Sequence, residues 1–98
     1  MKYLVVDAEL SGTGIRDKYN EPYFYLNPQD LGLSNETISK LNEWLLKYQE
    51  EHYKGFKESN VIDQLDEEGR NIALIIKNEL IDVKMEYYSD ASMRWEII

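Results

Sequence analysis

Apolar residues recur at helical spacing from Ile38 to Leu80, break only across the polar stretch Gly55 to Asn60, and then switch at Val83 to strict alternation. A change of period from about 3.6 to 2 is a change of secondary structure, so two helices must be followed by strands. The first stripe is Ile38, Leu41, Leu45, Tyr48 and His52, with Trp44 beside it and Lys40, Glu43, Lys47, Glu50 and Glu51 opposite. A helix is therefore expected from Asn35 to about Tyr53, capped by Ser34 and stopped at Gly55. The second stripe is Ile62, Leu65, Gly69, Ile72, Ala73, Ile76 and Leu80, with Ser59 or Asn60 as its expected cap. Gly69 and Ala73 leave one turn of it without bulk, which predicts close approach of a sheet or of the first helix.

The flanks are read as strands. Tyr3-Leu4-Val5-Val6 is short, apolar and rich in β-branched residues, and is expected to be covered on both faces. Val83, Met85 and Tyr87 alternate with Lys84, Glu86 and Tyr88; after a turn at Ser89 to Ser92, Met93, Trp95 and Ile97 alternate with Arg94 and Glu96. This pattern predicts a C-terminal hairpin. Residues 11 to 22 hold Gly12, Gly14, Asn20 and Pro22 and read as a long loop, followed by a brief strand over Tyr23 to Leu26. The expectation is one α+β domain over residues 1 to 98, a small mostly antiparallel sheet of three to four strands packed by two helices.

Composition excludes much familiar chemistry. The 98 residues contain no cysteine and one histidine, which removes disulfides, thiolate zinc sites and thiol nucleophiles and leaves His52 a structural residue near a helix end. No apolar run reaches the roughly 20 residues that span a bilayer, and the first residues lack a signal-peptide core, so a cytoplasmic protein without membrane contact is expected. The net charge of −8 disfavours direct nucleic-acid binding and favours a basic protein partner. Half of that excess falls between residues 61 and 82.

Asp7 and Glu9 close the first strand as Asp-Ala-Glu ahead of Gly12-Thr13-Gly14, and this stretch resembles the first motif of DEDD-type exonucleases, whose paired acids hold divalent metals. The match covers about ten residues, and the chain is too short for that fold, so a small metal-dependent hydrolase is the lesser alternative. Gly12-Thr13-Gly14 lacks the rest of a phosphate loop, and Arg16-Asp17 reads as a pair that fixes the loop. No cofactor and no catalytic residue is expected.

The acids Asp63, Asp66 and Glu67 and the tyrosines Tyr19, Tyr23 and Tyr25 are the candidate partner contacts, an acidic helix beside an aromatic loop. From Leu33 onward the chain resembles a family of small acidic uncharacterised bacterial proteins. The matching residues are Gly32-Leu33-Ser34, Leu41-x-x-Trp44 with Tyr48, Leu65-Asp66-x-Glu68-Gly69-x-x-Ile72-Ala73, Lys77-x-Glu79-Leu80 and Tyr87-Tyr88-Ser89. The resemblance implies an α+β fold, no catalytic residues and an association with immunity partners of polymorphic toxins. The leading expectation is thus a non-enzymatic immunity protein that occludes a basic toxin. A phage-type inhibitor that mimics nucleic acid, and a homodimer through the edge strand ending Trp95-Glu96-Ile97-Ile98, are the other expectations.

Overall fold

The computed structural model of the chain describes residues 2 to 19 and 25 to 98. In chain order the elements are β1 (Lys2–Val6), β2 (Ile15–Asp17), a 3₁₀ turn (Pro28–Leu31), α1 (Asn35–Lys54), α2 (Ser59–Glu79), β3 (Val83–Ser89) and β4 (Arg94–Ile97). The four strands form one sheet in the order β2-β1-β3-β4. Both helices cover a single face of it.

The α+β class, the two helices and the C-terminal hairpin match the sequence reading, but the sheet is mixed. β1 pairs antiparallel with β2 and β3 with β4, while the central pair β1 and β3 is parallel, Leu4 lying opposite Met85 and Val6 opposite Tyr87. The reason is the strand β2, which falls inside the stretch expected to be loop. β2, α1 and α2 each reverse the chain, so β3 starts at the end where β1 started and runs with it. The brief strand expected over Tyr23 to Leu26 reduces, among the described residues, to one bridge between Tyr25 and Arg16; Tyr23 and Phe24 lie outside the described residues.

Ser34 caps α1 as expected, its Oγ accepting from the Thr37 N–H at 3.2 Å, and Gly55 ends it with φ of 74°. Glu79 from the far end of α2 adds a second cap. Its carboxylate accepts from the Ser34 N–H at 2.8 Å and from the Thr37 hydroxyl, and these bonds hold its pKa below the usual value. α2 departs from expectation: it begins at Ser59 with Glu58 in the cap position and no side-chain cap bond. Its stability therefore comes from packing rather than from its first turn.

That packing centres on Gly69. A Cβ built there would sit 2.4 Å from Tyr87 Cε1 and 2.8 Å from Trp44 Cζ2, so the bare turn of α2 admits two aromatic rings from β3 and α1. Trp44 is fully buried, and its indole N–H donates to the Leu65 carbonyl at 2.8 Å, which ties α1 to the turn of α2 before Gly69. Leu4, Val6, Ile15, Met85 and Tyr87 complete the core from the sheet side. Gly69→Ala is expected to destabilise the fold by about 1–3 kcal/mol through overpacking, although alanine favours a helix by about 1 kcal/mol over glycine. Chemical denaturation would check this, and a stabilised Gly69→Ala chain would refute the packing.

Candidate functional site

The second helix sorts its acids by turn. Asp63 and Glu67 project from α2 to solvent, whereas Asp66 points inward and is 7% exposed. Asp66 was expected to contact a partner; the structure instead makes it the centre of a buried hydrogen-bond network. Its Oδ1 accepts from Tyr87 at 2.6 Å and Tyr48 at 2.9 Å, and its Oδ2 from Ser89 at 2.8 Å. The Tyr48 hydroxyl in turn accepts from the Ala91 N–H, and Ser89 Oγ accepts from Ser92. One carboxylate thus joins α1, α2, β3 and the β3–β4 turn. Burial raises the pKa of both tyrosines, with the bond to Asp66 adding to it, so both stay protonated donors.

Asp63 and Glu67 line a groove of about 470 Å³ between α2 and β4. The sequence reading missed its cations: Arg70 on α2 and Arg94 on β4 also line it, and Arg70 pairs with Glu96 at 3.5 Å. The groove is a patchwork with acidic lips rather than a uniform acidic face. Its floor edge is β4, all four of whose residues are exposed.

The tyrosines lie elsewhere. Leu4 and Val6 face the helices, so Tyr3, Val5 and Asp7 face the other side of the sheet. Tyr19, 70% exposed, stacks edge-on against Tyr3 with centroids 5.4 Å apart, which puts it on that helix-free side. Tyr25 is half-buried, and its hydroxyl donates to the Asp7 carboxylate at 2.9 Å. The acidic helix and the aromatic loop are therefore on opposite faces of the sheet and do not form one footprint. Tyr23 lies outside the described residues.

On the helix-free side Asp7, Arg16, Tyr25, Tyr88 and Trp95 line a cleft of about 310 Å³. Arg16 is buried and donates from Nε to Asp7 Oδ2 at 2.8 Å, instead of pairing with Asp17. Its guanidinium lies 5.5 Å from the Trp95 ring, and Trp95 packs on Tyr88 with centroids 4.7 Å apart. Glu86 is buried one strand away; burial opposes its ionisation, but hydrogen bonds from Lys18 and Tyr3 more than offset this and hold its pKa down. Asp7, the residue of the exonuclease-like motif, is thus committed to Arg16 and Tyr25, while Glu9 is exposed. Among the described residues no three His, Asp or Glu side chains are arranged to hold a metal ion.

At the end of the parallel pair, His52 Nε2 lies 3.0 Å from the Ala8 carbonyl and 3.6 Å from Asp90 Oδ2, and Asp90 Oδ1 accepts from the Ala8 N–H at 3.2 Å. Burial, with the nearby charges of Asp7 and Glu9, pushes Asp90 up to about 7, against the bond from Ala8 and the charge of Arg16. Compared with known proteins, the chain matches no family model and no curated protein.

Two predictions test this layout. Asp66→Asn and Asp63→Asn change the charge equally, yet the first is expected to cost about 1–3 kcal/mol of stability and the second no more than about 0.5 kcal/mol. Equal effects in urea denaturation would mean that Asp66 is not the node described. The folded Asp90 carboxyl ionises less readily than the unfolded one, so its stabilisation is complete below about pH 3.8 and is lost as pH rises through about 7. Wild-type chain is expected to lose thermal stability between about pH 4 and 7, and Asp90→Asn to lose less over that window. An identical slope in the two proteins would contradict the assignment.

Proposed function

We propose that the protein is a binding module for a basic protein, acting as an immunity-type inhibitor that occludes a bacterial toxin. The observation that carries this reading is the α2–β4 groove: Asp63 and Glu67 form an acidic lip along α2, and Arg94 and Glu96 of the exposed strand β4 form its other side. Acidic lips attract a basic surface at long range and raise the association rate, and a groove between them can seat a protruding side chain of that surface. With Asp7, Glu51, Asp66 and Glu86 buried, the attraction falls to exposed acids, Asp63 and Glu67 among them.

Mimicry of nucleic acid is less well supported, since Arg70 and Arg94 interrupt the acids where a phosphate-like array would need unbroken negative charge. The hydrolase reading has little to stand on with Asp7 engaged by Arg16 and Tyr25.

The test is a comparative capture from the native host with tagged wild-type chain and with the Asp63→Lys/Glu67→Lys chain. The expected outcome is one stoichiometric basic protein held by the wild type at low salt and reduced at least about fivefold on the variant. Expression of that protein alone should arrest growth, and co-expression of the wild-type chain should restore it. Equal retention by both chains would remove the groove from the proposal, and growth unaffected by the captured protein would remove the immunity reading.

A further inference from the structure

The two edges of the sheet are finished differently. Beyond β2 the chain returns, with Tyr25 bridging Arg16 and the Leu26 N–H donating to the Ile15 carbonyl at 3.0 Å. Beyond β4 no strand of the sheet follows, and among the described residues its outer edge is unpaired. Trp95 is 49% exposed there and Ile97 84%, with Met93 also exposed. Edge strands usually carry devices against pairing, such as lysine, proline, a bulge or a covering element. β4, Arg-Trp-Glu-Ile, has no proline or bulge within it, and its two charges, Arg94 and Glu96, are of opposite sign.

The backbone of β4 says which groups face outward. Tyr88 lies opposite Trp95 and Glu86 opposite Ile97, and the Ile98 N–H donates to the Met85 carbonyl at 3.0 Å. Hydrogen-bonded and non-bonded pairs alternate along an antiparallel ladder, so Arg94, Glu96 and Ile98 bond inward to β3 and Trp95 and Ile97 present their N–H and C=O groups outward. A second strand must therefore pair through residues 95 and 97.

Two-fold registers centred on each residue of β4 bring outward groups of two such strands together, and charge separates them. Centred on Glu96, the pairing sets Glu96 against Glu96; centred on Arg94, it sets Arg94 against Arg94. Centred on Trp95, it sets Arg94 against Glu96 twice and Trp95 against Trp95. Opposite charges directly across a strand pair stabilise it and like charges oppose it. Only the Trp95 register sets opposite charges across from each other, and it keeps Trp95 and Ile97 of both strands on one face.

We infer that β4 joins a second copy of this chain antiparallel about a two-fold axis at Trp95, extending the four-stranded sheet to eight strands. The occupant is another copy because the strand is its own complement in charge, in side-chain face and in the direction of its free backbone groups. A four-residue contact buries less than a permanent dimer needs, so the association is weak and concentration-dependent. The inference uses the backbone edge of β4 and does not rest on the identity of any basic partner.

The test is sedimentation velocity from about 5 µM to about 500 µM at about 0.15 M salt, with circular dichroism confirming the fold of each variant. Wild type is expected to shift from monomer to dimer across this range. Arg94→Glu alone, and Glu96→Arg alone, each create two like-charge contacts and should weaken dimerisation at least about tenfold. An equimolar mixture of those two single variants restores both contacts with opposite sign and should dimerise again. Ile97→Pro removes an outward N–H, leaves the bonds to β3 in place, and should also weaken the dimer. Lys57→Glu, the same charge change at an exposed site outside β4, should leave it unaltered. A wild-type monomer throughout, a dimer insensitive to Arg94→Glu, or a mixture that stays monomeric would each overturn the inference.

Discussion

A single carboxylate, that of Asp66, organises the part of this fold in which helices meet strands. It takes three hydroxyl donors, Tyr48 from α1 and Tyr87 and Ser89 from β3, in a place from which water is largely excluded. A buried carboxylate is costly unless its lone pairs are satisfied, and each donor it gathers would itself be an unpaired polar group without it. The arrangement therefore specifies geometry as much as it adds stability. α2 can approach the sheet only at the depth that puts Asp66 on Tyr87, and that depth leaves no room for a side chain at Gly69. The α2–β4 groove inherits its width from the same constraint, because one turn of α2 supplies both the inward Asp66 and the outward Asp63 and Glu67.

The two faces of the sheet divide the labour. One is closed by helices and holds the aromatic core. The other has a buried ion pair, Arg16 with Asp7, and a half-buried one, Lys18 with Glu86, framed by Tyr3, Tyr25 and Trp95. Charges are retained there because each has a partner and aromatic cover, which suits a face that is screened without being an apolar core. The residues left to meet other molecules are those at the lip of α2 and along β4.

The helices were legible because their periodicity is long, and the caps at Ser34 and Gly55 followed from local chemistry. The hairpin β3–β4 was legible for the same kind of reason, period two interrupted by a turn. β2 was not: three residues, Ile15 to Asp17, two of them charged, carry no alternation that a glycine-rich surrounding does not drown, and missing it hid the parallel pairing of β1 with β3. Of the candidate contacts, Asp63 and Glu67 reached the surface, while Asp66, one helical turn from Asp63, turned inward. The spacing held a clue, since Asp66 falls beside Leu65 and Gly69 on the buried stripe, but an acid on that stripe explains itself only once Tyr48, Tyr87 and Ser89 are seen to converge on it. Arg70 and Arg94 were missed because they join the groove from two elements far apart in sequence. Tyr19 and Tyr25 went to the opposite face, a placement that depends on β2.

The central claim is that contact with a basic protein falls on the lip of α2 and on β4. Hydrogen-exchange mass spectrometry of the chain, alone and saturated with the captured partner, measures this directly. The account predicts added protection over the first turns of α2 and over β4, with the segment from β2 through Tyr19 unchanged. Protection confined to β1 and that segment, with α2 and β4 unaltered, would contradict it.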